Sequence, residues 1–232
     1  MLDEKFLKVT KKLFSPTFGT ENLAPYLYSL IRLIRPRKIL ELGGGYTSIF
    51  ILKALSDNEL LFKDSSSVDL SLQNEHYFNQ TFNPSKLHVI DNCKDGYTTA
   101  NLIFDASKKL KLDPFLEFHE TDYFGYAENI PKSELPLDLL WIDCGSLNTY
   151  HHVMRNYFPL VNRAGGIVLI HSLITNLHGA LFLKQLKLAQ ATKEFNDFEL
   201  ISLLEPHKKR QNSLTMLRFT TNELTTIHST LP

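Results

Sequence analysis

Residues Lys38 to Ser48 read KILELGGGYTS. An apolar run carrying one carboxylate, Glu41, breaks into three consecutive glycines and then into Tyr46, Thr47 and Ser48. The run has the length and composition of a strand buried in a parallel sheet. A glycine turn directly after it lets a ligand come close to the backbone, and the N-terminus of a following helix supplies amide donors. In open α/β sheets ligands sit at that place, beyond the carboxyl ends of the strands.

The acidic residue decides which ligand fits. A dinucleotide loop needs G-x-G-x-x-G, and here the third glycine position is Ser48. Glu41 would also repel a pyrophosphate. A carboxylate there suits a cationic ligand, such as one carrying an ammonium and a sulfonium.

Outward from this stretch, short apolar runs alternate with longer amphipathic ones, the pattern of βα units and a mostly parallel sheet. Strands are predicted at Lys38 to Leu42, Leu87 to Asp91, Phe115 to Glu120, Leu137 to Asp143, Ile167 to His171, Phe198 to Leu203 and Leu214 to Phe219. Helices are predicted at Thr47 to Leu55, Thr98 to Leu110, Tyr150 to Val161 and Gly179 to Ala191, where apolar residues recur three and four apart. Only Glu205 to Asn212 separates the last two strands, too little for a helical crossover, so these should form an antiparallel hairpin. Residues 56–85 exceed a normal connection and read as a partly helical insertion. Before the first strand, Glu21 to Ile34 reads as a helix stopped by Pro36, and Phe14 to Thr20 as an exposed loop. The expected organisation is therefore an N-terminal helical cap, 1–34, belonging to the same domain as 35–232.

Composition narrows the function classes. With 232 residues, 43% hydrophobic, the chain supports one α/β domain. Its 25 basic residues balance 25 acidic ones, which gives no broad field for nucleic acid or an anionic membrane. The basic run His207 to Arg210 reads as a solvated turn between two late strands. Cys93 and Cys144 make neither a disulfide framework nor a CxxC motif, and no apolar run approaches a membrane span. The N-terminal stretch lacks the continuous apolar core of a signal peptide. A soluble, cytoplasmic protein is expected, with room for a homodimer.

Three further acids fall at strand ends: Asp91 closes KLHVID, Asp122 follows FLEFHET and Asp143 closes LDLLWID. Parallel strands should carry all three to the edge where Glu41 stands. An alternative makes VDLSL the second strand, with Asp69 in place of Asp91 and Lys86 to Asp91 as the third. It gives the more usual spacing of about 20 residues from the glycine loop, but Leu87 to Ile90 is the better apolar run.

ELGGGYTS, the strand-end acids, LLWIDCG and NRAGGIVLIHS together resemble the class I S-adenosylmethionine-dependent methyltransferases, over roughly Arg35 to Phe219. The resemblance implies a Rossmann-like seven-stranded sheet with helices on both faces, and S-adenosylmethionine (SAM) as cofactor, leaving as S-adenosylhomocysteine. It also implies residue roles. Glu41, Gly43 and Gly45 would sit by the methionine part, with Gly44 in the same loop and Tyr46, Thr47 and Ser48 opening the helix. Asp91 would accept from the ribose hydroxyls, Asp122 with Tyr123 beside it would meet the adenine, and Asp143 would lie by the reacting methyl group.

Metal-dependent catechol-type members carry an Asp-Asn pair where this chain has His171 and Ser172. A hard cation prefers a set of oxygen ligands, so a reaction without metal is expected. His171 ends a strand on the active edge, and histidine is the residue type best suited to take a proton near neutral pH, which makes it the candidate base; Asp143 is the second candidate catalytic residue. His151 and His152 are weaker candidates. Phe18, Tyr26, Tyr150 and Asn176 are the candidate contacts to a small-molecule methyl acceptor, within a wider set of aromatics that includes Phe14, Tyr28, Phe124 and Tyr126. O- or N-methylation is the leading reading. An aminopropyl-type transferase and a cofactor-binding protein without turnover are the alternatives.

Overall fold

The computed structural model describes residues 2–63, 85–96, 98–145, 147–175, 177–192 and 197–220. Its strands are β1 (Lys38–Leu42), β2 (Lys86–Asp91), β3 (Leu116–Glu120), β4 (Leu139–Ile142), β5 (Ile167–His171), β6 (Phe198–Leu204) and β7 (Ser213–Phe219). They form one sheet in the order β3-β2-β1-β4-β5-β7-β6. Strands β1 to β5 pair in parallel, and β7 runs antiparallel to both β5 and β6. The expected Rossmann-like sheet with its C-terminal antiparallel hairpin is present. Residues 86–91 lie directly beside β1, which is the second-strand position; Asp69 of the alternative lies outside the described residues.

Helices cover both faces: α1 (Glu4–Thr10), α2 (Leu23–Ile34), α3 (Tyr46–Lys63), α4 (Ile103–Leu110), α5 (Leu147–Asn156) and α6 (Leu177–Thr192). Register fixes which side chains meet which helices, because partners in a parallel pair point to the same face. Glu41 pairs with Val89 and Trp141, and Trp141 with Leu169. Ile39, Val89, Trp141 and Leu169 thus pack with Phe6 of α1, Leu27 and Ile31 of α2, Phe50 of α3 and Ile103 of α4. The alternate residues Leu40, Ile90, Leu140 and Val168 pack with Val153 of α5 and with Phe182 and Leu186 of α6 on the opposite face.

Helix α3 runs on past Leu55, where the expected helix stops, to Lys63; 64–84 of the expected partly helical insertion lie outside the described residues. The polar residues that resemble a connection face α2 instead. Tyr28 Oη donates to Asp57 Oδ2 at 2.8 Å, Lys53 Nζ lies 2.5 Å from Asp57 Oδ1, and Arg32 Nη1 donates to Asn58 Oδ1 at 2.7 Å. Helix α2 ends where Arg35 takes a left-handed conformation (φ 48°), one residue before Pro36.

The basic run is also more than a solvated turn. His207 is exposed, but the Lys208 side chain is only 11% exposed and its ammonium lies 2.8 Å from Glu21 and 2.8 Å from Glu205. Lys208 Nζ also donates to the Gly19 carbonyl at 3.0 Å, and Asn22 donates to Glu205. The β6–β7 turn is thereby locked onto the loop that precedes α2. Gly19 (φ +67°) allows the approach, since a Cβ there would stand 2.3 Å from Cβ of Gln211.

Lys208→Ala removes the shared cation and leaves two carboxylates facing each other's neighbourhood. We expect a loss of ~1–3 kcal/mol, the scale for hydrogen bonds to charged groups. Equilibrium urea unfolding measures it; a loss below about 0.5 kcal/mol, the level of an ordinary surface substitution, would show that the lock contributes little.

Candidate active site

Period-two alternation carries Glu41, Asp91, Asp143 and His171 to the same face as Ile39, Val89, Trp141 and Leu169, at the carboxyl ends of β1, β2, β4 and β5. Between them runs the glycine loop. Gly43 has φ +87°, and a Cβ there would meet the Asp143 carbonyl oxygen at 2.9 Å and Cys144 Cβ at 3.0 Å, so the loop can lie against the end of β4 only as glycine. The Gly44 amide donates to Asp91 Oδ2 at 2.9 Å while the Cys93 amide donates to Oδ1 at 2.7 Å. The end of β2 therefore holds the loop in place. At the start of α3, the Gly45 amide donates to Ser48 Oγ at 2.9 Å, the reciprocal half of a capping box.

Glu41 is fully buried. Its Oε1 accepts from the Thr47 hydroxyl at 2.9 Å, and Oε2 has no hydrogen-bond partner among the described residues. Burial pushes its carboxyl from the usual 4.5 up to about 8; the hydroxyls of Ser48 and Thr47 oppose this, and the Asp143 and Asp91 charges add to it. Thr47 has one proton to give and gives it to Glu41. Its oxygen receives the Trp141 indole N–H at 3.4 Å and lies 3.5 Å from Asp143 Oδ2.

Asp143 and His171 are in direct contact, Oδ1 to Nδ1 at 2.7 Å. An ionised carboxylate only accepts, so Nδ1 carries the proton and the neutral ring keeps its lone pair on Nε2. His171 is 7% exposed, and Nε2 is without a hydrogen-bond partner among the described residues. The Trp141 ring lies nearly parallel to the imidazole with centroids 6.1 Å apart. Burial raises the Cys144 thiol well above its ordinary value, with Asp143 and Asp91 adding to the shift, which keeps it protonated and poor as a nucleophile.

The remaining candidates are spread around this centre. Asp122 is exposed just past β3 and accepts from the Phe124 amide at 2.9 Å. Tyr123 is half-buried, with its hydroxyl 2.8 Å from Thr149 Oγ1. Tyr46 packs edge-on to Phe14 at 5.5 Å and against Phe50 at 4.9 Å. Phe18 is half-buried in a turn before α2, and Tyr26 of α2 packs on the first core. Tyr150 is buried and stacked on Phe182 with centroids 5.0 Å apart. Asn176 lies outside the described residues. Trp141 was not singled out from the sequence; as the chain's one tryptophan, two residues before Asp143, it had to share that acid's face by strand alternation.

Comparisons with known proteins bear on the fold and the family. The chain matches solved methyltransferases over most of its length. The O-methyltransferase TomG of Streptomyces achromogenes, involved in tomaymycin synthesis and solved in complex with SAM, has a TM-score of 0.64 at 16% identity, covering 94% of this chain and 91% of that one. The O-methyltransferase of Bacillus cereus, solved with SAH, has a TM-score of 0.62 at 14% identity, with coverages of 94% and 91%. A SAH-bound methyltransferase of Podospora anserina follows with a TM-score of 0.60, 13% identity and coverages of 94% and 89%. At such identities the likeness is one of fold. No curated protein sequence matches. The methyltransferase domain family matches residues 40–173, from within β1 to just past β5, and so takes in the glycine loop, Asp91, Asp143 and His171. The chain belongs to that methyltransferase domain family, of the class I kind its sequence resembles.

Proposed function

We propose that this methyltransferase uses SAM to methylate a hydroxyl or amine of a small molecule without a catalytic metal, with His171 as base and Asp143 as its positioning partner. The observation that carries the reading is the 2.7 Å contact between Asp143 Oδ1 and His171 Nδ1 at the edge that the glycine loop borders. It fixes the tautomer in which Nε2 can take a proton.

The residues present fit the cofactor. Glu41 Oε2 is a buried oxygen with no partner among the described residues, which costs about 1–3 kcal/mol when nothing answers it. A group carrying an ammonium and a sulfonium supplies the positive charge that this oxygen and Asp143 lack. Asp91 keeps lone pairs beyond those that hold Gly44 and Cys93, suited to ribose hydroxyls. Asp122 and Tyr123 stand beyond β3, where adenine would lie. When bound, SAM supplies a methyl group already activated by its positive sulfur, so the protein's task is to align the acceptor and take its proton. The segment 1–34 is the proposed cap: α1 and α2 share the first core, and Phe14 reaches Tyr46 at the start of α3. Phe18 and Tyr26 in this segment are the proposed acceptor contacts.

Three experiments test the reading. Calorimetry in chelator should show SAM and SAH binding, and Asp91→Ala should weaken it by ~1.5–3 kcal/mol, the scale for hydrogen bonds to a charged group; unchanged affinity would remove Asp91 from the site, and a strict Mg²⁺ requirement for turnover would overturn the metal-free part. Glu41 binds its proton more tightly when folded, so stability of the free protein should fall as pH rises from 4.5 to about 8 and level off beyond. Glu41→Gln should abolish that slope, worth on the order of a few kcal/mol; an equal slope in the variant would place the titration elsewhere. His171→Ala should lower kcat by roughly 10² to 10⁴ with cofactor affinity nearly unchanged, and the deficit should shrink as pH rises and the acceptor ionises itself. A lower melting temperature with near-normal turnover would make His171 structural.

A further inference from the structure

On the sheet face opposite to Asp91 and Asp143, β2 and the edge strand β3 gather three side chains that methyl transfer does not use. His88 pairs with Glu117, and Ile90 with His119, so all three point to the face of the second core. One ligand-capable atom from each of His88, Glu117 and His119 lies within 4.8 Å of the others. Nδ1 of His88 is 3.2 Å from Nε2 of His119. Two imidazole nitrogens at 2.0–2.1 Å from one tetrahedral zinc stand about 3.3–3.4 Å apart. The observed spacing is that of two neighbouring corners.

The outer nitrogens of both rings are also provided for. His119 Nδ1 is 2.9 Å from the Tyr126 hydroxyl. His88 Nε2 faces Glu134 Oε2 at 3.4 Å, close but without the alignment of a hydrogen bond. Metal-binding histidines commonly direct the second N–H at such oxygens, which fixes tautomer and ring angle. Glu117, the third member of the cluster, has its Oε2 3.3 Å from Lys86 Nζ. His88 is only 5% exposed, and a polar ring so deep in a sheet is costly unless both nitrogens are used.

We propose that His88, Glu117 and His119 bind a single divalent transition ion of the zinc class, with Glu134 and Tyr126 orienting the imidazoles and a fourth corner left to water. Without the ion, the facing nitrogens share one proton across nearly coplanar rings, 3° apart. Binding needs both lone pairs turned on the metal. The shared proton then moves to an outer nitrogen, either His88 Nε2 towards Glu134 or His119 Nδ1 towards Tyr126, and none is lost overall. The ion would join edge strand β3 and the 126–134 segment to β2, and so steady the strand whose end carries Asp91.

The test uses the full chain, freed of metal by chelator and then titrated with Zn²⁺ or Co²⁺ alone. One ion should bind per chain, raise the melting temperature and, as Co²⁺, give the visible absorption of a four-coordinate site. His119→Gln should abolish all three effects, whereas His171→Ala should keep them. Should His119→Gln not fold, Glu134→Gln serves instead, and its affinity should drop about 10- to 100-fold. Affinity should also fall as the medium is made acidic, because an imidazole must be unprotonated to bind the ion. Absence of binding overturns the proposal, as does binding that survives these substitutions or disappears in His171→Ala.

Discussion

The side-chain alternation of a parallel sheet governs both ends of this chemistry. Because β1, β2, β4 and β5 run in one direction and in fixed register, every second side chain goes to the face covered by α2, α3 and α4, and Glu41, Asp91, Asp143 and His171 are the members of that set nearest the carboxyl edge. A slip of one residue in β2 would send Asp91 to the other face and take away the acceptor of the Gly44 amide. The glycine loop would lose its anchor with it. The buried residues Leu87 and Val89 oppose such a slip, since they would have to leave the first core. Apolar packing thus sets the position of polar groups that contribute little to stability themselves.

Electrostatics at this edge work against the empty fold. Glu41 is buried with one oxygen unanswered, and Asp143 and Asp91 make its ionisation harder still. His171 keeps an unanswered nitrogen in the same group. The backbone beside it is also constrained: Ser172 has φ +60°, its amide donates to the Ser213 carbonyl at 2.7 Å, and its hydroxyl pairs with Thr175. Such costs persist where the surrounding structure over-determines them, and they tend to collect where a ligand completes the arrangement.

Strands β1 and β5 were legible from end to end, because unbroken apolar runs bounded by turns leave few other readings. The strand-end acids were legible for the same reason, as their place follows from where each run stops. Helix α3 runs past the expected Leu55 because Asp57 and Asn58 are held by Tyr28 and Arg32 of another helix, and local periodicity carries no trace of such partners. Lys208 was misread likewise, since the groups that bury its charge include Glu21, far away in the chain. The pairing of Asp143 with His171 and the gathering of His88 with Glu117 and His119 depend on strand order, which a linear pattern does not state.

The two histidine arrangements differ in what faces the inner nitrogen. At the glycine-loop edge, Asp143 accepts a hydrogen bond from Nδ1–H of a single imidazole and so leaves the lone pair on Nε2, the configuration that the proposed base requires. On the opposite face, each of two imidazoles has an oxygen at its outer nitrogen and the other ring at its inner one, so the lone pairs converge on each other. The first geometry leaves a basic site that one proton satisfies. The second leaves two ring nitrogens 3.2 Å apart with one proton between them, the place where the proposed ion would sit. Since Asp91 and His88 stand three residues apart on β2 and point to opposite faces, whatever steadies the histidine pair also steadies the strand that anchors the glycine loop.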